Sequence, residues 1–238
     1  MKRDDENLPK LSRPRLGRLH QRADLLNLLD ELRTAPLTMV SGLPGAGKSA
    51  LVASYVETRN IPSLWYQMDA GDEELTNFFR YLDIAVRGFV PYNKKDALPA
   101  PSPECFSADF TAVSKYFCDL YHCLDVPFLM VFDRYHEVSE GAEIHRVMRD
   151  ACAALPVGGR IILIASNECP PAVACLRANG STAIIGWQEL QMNPTKVKEV
   201  AALHGMTLPL DESAKQLRRK VGVWAADLVL SLQRSSNG

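Results

Sequence analysis

The stretch Leu37-Thr38-Met39-Val40-Ser41-Gly42-Leu43-Pro44-Gly45-Ala46-Gly47-Lys48-Ser49 joins a short apolar run to a glycine-rich loop, and a helical pattern follows to Glu57. Five residues that stop at a glycine read as a buried strand. The next eight match G-x-x-x-x-G-K-[ST], and here the pattern stands between a strand and a helix, the context that gives it physical meaning. Glycines let the backbone N–H groups curl around a β-phosphate, and the helix N-terminus adds partial positive charge. Lys48 then reaches the β- and γ-phosphates, and the Ser49 hydroxyl ligates Mg²⁺. Gly42, Leu43, Pro44, Gly45, Ala46, Gly47, Lys48 and Ser49 are therefore the candidate nucleotide-binding residues.

Such a loop needs an acid at the end of a neighbouring strand. Phe128-Leu129-Met130-Val131-Phe132 followed by Asp133 supplies five apolar residues and then a carboxylate. Ser49 and Asp133 are the candidate metal-holding pair, and Lys48 and Asp133 the candidate catalytic pair. Many ATP-hydrolysing relatives of this motif carry a second acid one residue later, to activate water. Arg134 stands there and cannot serve as a base, since its pKa stays above ~12. Glu137 is a nearby substitute or an ordinary turn residue. At the end of Arg160–Ala165, Ser166 and Asn167 either sense a γ-phosphate or cap the turn before Pro170-Pro171.

Working outward, hydrophobic period predicts helices at Gln21–Leu32, Ser49–Glu57 and Glu73–Phe89, the last with Asp72 as its N-cap. Phe110, Val113, Phe117, Leu120 and Leu124 mark another, and Ile144–Ala154 a further one. Strands fall at Leu37–Ser41, Ser63–Gln67, Phe128–Phe132, Arg160–Ala165 and Thr182–Ile185. Residues 1–19 read as an extended lead-in, and residues 91–108, with four prolines, as a surface loop or crossover. Strands alternating with helices predict an α/β fold: a parallel five-stranded sheet covered by helices on both faces. After about Gly186 the pattern turns helical at Pro194–His204, Asp211–Lys220 and Trp224–Gln233. The expected division is a lead-in and helix over 1–36, a nucleotide-binding core over 37–187 and a small helical subdomain over 188–238.

Composition narrows the class. Hydrophobic residues at 47% and charged ones at 23% are globular values, which excludes a disordered or fibrous chain. A net charge of −1 leaves no basic footprint for nucleic acid, so no DNA binding by this chain alone is expected. The longest apolar runs fall far short of the ~20 residues that span a bilayer. Met1–Asn7 is charged with no apolar run after it, which argues against secretion. Six cysteines without a CxxC pair fit reduced thiols in a cytoplasmic protein. Cys118, His122 and Cys123 sit at helical spacing, but no second ligand pair accompanies them.

With these residues in view, the chain resembles the MalT-like branch of the STAND NTPases, ATP-dependent switches of large bacterial transcription regulators. Lys10-Leu11-Ser12-Arg13-Pro14 with Arg18-Leu19 looks like the lead-in of that family, and Trp65-Tyr66-Gln67-Met68-Asp69-Ala70-Gly71-Asp72 like its W-Y-x-L-D-x-x-D segment. Asp133-Arg134-Tyr135-His136 resembles a D-D-Y-H sequence, Leu163–Asn167 a strand ending that normally carries arginine where Asn167 stands, and Val223-Trp224-Ala225 a G-W-[PA] element. The resemblance implies a P-loop NTPase of the additional-strand type that binds ATP or ADP with Mg²⁺ and works with further regulatory domains or protein partners. It implies a lead-in lying against the adenine. Family members are much longer, so the resemblance makes this chain an excised module or a truncated relative. Arg134 in place of the second acid and Asn167 in place of the sensor arginine imply at most a slow Mg²⁺-dependent ATPase. Two other readings stand beside the switch. One is a small-molecule kinase, since Asp133-Arg134-Tyr135 resembles the DRY motif of thymidylate-kinase-like enzymes. The other is a catalytically dead scaffold, nucleotide-binding in a structural sense or holding no nucleotide at all.

Overall fold

The computed structural model describes residues 8–16, 22–166 and 182–191. Five strands form one sheet: β1 (Leu37–Ser41), β2 (Ser63–Gln67), β3 (Phe128–Asp133), β4 (Gly159–Ala165) and β5 (Thr182–Ile185). All neighbours are parallel, in the spatial order β2-β3-β4-β1-β5. Parallel strands need crossovers, and helices supply them. The crossover helices are α2 (Lys48–Thr58), α3 (Leu75–Phe89), α4 (Phe110–His122) and α5 (Ile144–Ala153); α1 (Ala23–Glu31) precedes β1, and the one-turn α6 (Trp187–Leu190) follows β5.

Alternation along the strands assigns the two faces. Leu64, Tyr66, Met130, Phe132, Ile161 and Leu163 turn to one side, where α3, α4 and α5 cover them. Trp65, Leu129, Val131, Ile162 and Ile164 turn to the other, under α1 and α2. The result is the expected three-layer α/β arrangement with helices on both faces. β4 lies between β1 and β3, so the glycine-rich loop after β1 and Asp133 at the end of β3 emerge at the same edge, one strand apart.

Details differ from the sequence expectation in four places. Asp72 does not cap α3. It belongs to a tight turn, Ala70–Glu73, where its carboxylate accepts the Asp69 N–H at 2.8 Å, and Glu74 precedes the helix. An acid three residues after another acid satisfies the turn's own amides first, and this wins over helix capping. Phe110 is 60% exposed, because α4 turns Tyr116 and Tyr121 inward beside Val113, Phe117 and Leu120. In α1 the buried residues are Leu25, Leu26 and Leu29, while Leu28 and Leu32 only flank the core. Residues 91–108 carry two 3-10 turns, Tyr92–Ala97 and Pro103–Ser107, and bury Leu98 and Cys105.

Within the lead-in, Pro9–Leu11 forms a 3-10 turn docked on the end of β2. The Gln67 amide donates to the Pro9 and Ser12 carbonyls at 3.1 and 2.9 Å. Lys10 Nζ reaches Asp69 at 2.6 Å and Asp72 at 2.9 Å, and lies over the Tyr66 and Tyr81 rings. The expected helices at Pro194–His204, Asp211–Lys220 and Trp224–Gln233 lie outside the described residues, as do Arg18, Leu19, Asn167, Pro170, Pro171 and Val223–Ala225.

Candidate functional site

The loop after β1 is shaped by its glycines. Gly45 and Gly47 both adopt φ of 80°, the left-handed region that costs other residues about 1–2 kcal/mol. Gly47 is the cap residue of α2, so the Lys48 and Ser49 amides belong to the first turn, whose N–H groups have no partner within the helix. A left-handed glycine loop that ends in a helix N-terminus has the amides and partial positive charge that suit an anion.

Side chains complete the arrangement. The Lys48 ammonium turns back over the loop, donating to the Gly42 carbonyl at 2.6 Å and the Leu43 carbonyl at 2.9 Å. It also approaches Ser166 Oγ at 3.5 Å, which brings the end of β4 to the loop. Ser49 Oγ donates to Asp133 Oδ1 at 2.8 Å, and the Arg134 N–H donates to the same oxygen at 2.8 Å. The candidate pairs Lys48 with Asp133 and Ser49 with Asp133 therefore converge on one place. Burial pulls the Lys48 ammonium pKa down and pushes the Asp133 carboxyl up. Each group is a desolvated charge, and each would be relieved by a ligand charge of opposite sign. A phosphate answers Lys48 and the loop amides; a divalent cation answers Asp133 beside the Ser49 hydroxyl. The donor set fits Mg²⁺, a hard cation that takes a few protein oxygens and keeps its waters.

The water-activating side is different. Arg134 leaves β3 in the left-handed region, at φ 59° and ψ 33°, and its guanidinium pairs with Glu137 at 3.0 Å. That pairing, with the hydrogen bond from Arg134 as the largest cause, holds the Glu137 carboxyl below its usual range. His136 lies beside Glu137 at 3.6 Å, its own pKa lowered by burial. Tyr135 is buried, and its hydroxyl meets His145 Nδ1 at 2.8 Å. At the helical trio considered for metal binding, His122 Nδ1 meets the Cys118 carbonyl at 2.6 Å, a contact within its own helix.

Two contacts escape sequence reasoning. Arg22 binds the carbonyls of Glu189, Leu190 and Gln191, and Trp187 and Leu190 lie on Gly42. A lone arginine ahead of α1 gives no sign of a partner more than 160 residues away.

An α/β P-loop NTPase fold is what this sheet order and loop define. No protein-family model matches the sequence. Among solved structures, the chain is similar to the Walker-type ATPase paby2304 of Pyrococcus abyssi, at 15% identity and a TM-score of 0.55, covering 99% of this chain and 72% of that one. It is similar to a DNA replication initiation factor at 10% identity and a TM-score of 0.50, covering 92% and 61%. AMPPCP-bound DnaA from Aquifex aeolicus matches at 12% identity and a TM-score of 0.50, covering 93% and 63%. The chain spans about three-fifths of the length of these last two. Among the described residues, no helix is long and apolar enough to cross a membrane.

Proposed function

We propose that this chain is an adenine-nucleotide-binding switch module of the MalT-like STAND type, cytoplasmic and acting with further regulatory domains or protein partners. In this reading residues 1–36 are lead-in and helix, 37–187 the nucleotide core and 188–238 a helical subdomain. The observation that carries it is the 2.8 Å bond from Ser49 to Asp133, made beside a lysine that already bridges the loop carbonyls. Gly42–Ser49 hold the phosphates, Lys48 neutralises them, and Ser49 with Asp133 holds Mg²⁺. The metal, when bound, screens phosphate charge; the chain's own part is to orient the nucleotide through loop amides and Lys48. The AMPPCP-bound DnaA and the Walker-type ATPase support this reading at the level of fold.

Hydrolysis is weak in this reading because the residue after Asp133 is an arginine turned to Glu137. The kinase alternative requires Arg134 to meet a second substrate, whereas its guanidinium is engaged by Glu137 and Tyr135 is buried against His145. The test is to identify the nucleotide retained through purification and to assay γ-phosphate transfer to a panel of nucleoside monophosphates. Retained ADP or ATP with no transfer is expected. Transfer to a monophosphate at ordinary kinase rates would replace the switch by the kinase, and absence of any bound or bindable nucleotide would leave the dead scaffold.

A further inference from the structure

Arg22 stands just before α1, and its guanidinium reaches sideways to the end of α6. Nη1 donates to the Leu190 carbonyl at 2.6 Å, and Nη2 to the Glu189 and Gln191 carbonyls at 3.1 and 3.2 Å. One side chain thus satisfies three successive carbonyls that a helix end leaves without partners. The fork geometry of arginine suits this, and a lysine could not reproduce it. On its other side α6 rests on the phosphate loop. A Cβ at Gly42 would come within 2.9 Å of Leu190 Cδ1 and 3.7 Å of Trp187 Cε3, so no side chain separates the loop from α6. The carbonyl of that same Gly42 is the one gripped by the Lys48 ammonium. Lys48, Gly42, Leu190 and Arg22 form one unbroken series of contacts.

We propose that this series couples phosphate binding to the position of α6, with Arg22 as the positioning residue. The inference rests on the nucleotide-binding reading above. When Lys48 exchanges the Gly42 carbonyl for a phosphate, that carbonyl loses a charge-assisted bond and the loop is free to resettle. The contact with Leu190 and Trp187 is direct, and packed interfaces transmit small displacements instead of absorbing them. α6 is a single turn and has little rigidity of its own; Arg22 fixes where its last carbonyls lie. By linkage, loosening that grip must alter nucleotide affinity in return.

The experiment uses the full chain with Trp65→Phe and Trp224→Phe, which leaves Trp187 as the one tryptophan of the three. Emission is followed as ATP or ADP is titrated with Mg²⁺, with calorimetric affinities in parallel, for this protein and for its Arg22→Gln and Arg22→Lys forms. The expected result is a shift in Trp187 emission on saturation, largely lost in Arg22→Gln. The ratio of ATP to ADP affinity changes by about fivefold or more in that variant, the lower edge of ordinary coupling. Arg22→Lys falls between. If Arg22→Gln fails to fold, Leu190→Ala opens the Gly42 contact with Arg22 intact and is held to the same criteria. A variant that melts earlier yet keeps both the emission shift and the affinity ratio gives Arg22 a structural role only and overturns the proposal. So does nucleotide binding that leaves Trp187 emission unmoved. Failure of the parent protein to bind any nucleotide is a different result: it removes the functional reading itself, and the coupling with it.

Discussion

At Arg134 the chain leaves β3 in a left-handed turn, and the next carboxylate, Glu137, is drawn onto its guanidinium. A permanent cation cannot take a proton from water, and a carboxylate held well into its ionised form is a weak base. Loss of general-base assistance costs roughly 10²–10⁴-fold, so single-turnover ATP hydrolysis should run close to background. Arg134→Glu should raise it, and Glu137→Gln should change it little. Ordinary ATPase rates in wild type, abolished by Arg134→Glu, would make Arg134 catalytic and reverse this account. The conformation of the loop after β1 was legible, with positive φ at Gly45 and Gly47 and Lys48 and Ser49 opening α2. Arg134 could be read as the wrong residue for a base. That it would disarm Glu137 as well could not, because that pairing depends on a backbone turn.

Among the elements, β2 and the turn after it depend on charge as much as on apolar packing. Asp72 is fully buried, and its carboxylate is met by Lys10, the Tyr66 hydroxyl at 2.6 Å and the Asp69 N–H. Removing one partner of a buried pair leaves an uncompensated charge. Lys10→Ala should therefore destabilise the protein by about 3 kcal/mol, the low end for such pairs because two donors remain to Asp72. Urea denaturation measures it; a change within ~0.5 kcal/mol would mean that the lead-in contributes nothing to the core. The loop after β3 is held by His145, between Tyr135 and the Ser139 carbonyl. Burial lowers the His145 pKa below its ordinary 6.5. The unfolded chain then binds more protons, so stability from this site is present above about pH 6.5 and is lost as pH falls below it. His136, lowered in the same sense, adds to the loss. Between pH 7.5 and 5.5 wild type should lose more stability than His145→Gln, and an equal loss would contradict this role for His145. Helices and strands of this sheet were legible from period alone. Their ends were not: Asp72 serves a turn and Phe110 faces out, since local hydrogen bonds and neighbouring aromatic rings outweigh pattern there.

For the whole molecule, alternating strands and helices announced a parallel sheet, but not the order β2-β3-β4-β1-β5. Order depends on which strands pair across long connections, and only the acid partner of the loop hinted that β3 ends near β1. Contacts such as Arg22 with residues 189–191 were invisible for the same reason. With a net charge of −1, this chain should show no salt-sensitive shift of duplex DNA at micromolar concentration. Everything in the functional account rests on phosphate binding by Gly42–Ser49. The direct measurement is calorimetric titration of Mg²⁺-ATP into wild type and Lys48→Ala. A charge-assisted contact worth about 1.5–3 kcal/mol predicts that Lys48→Ala binds ~10–100-fold more weakly. Equal affinity of the two proteins would contradict the account.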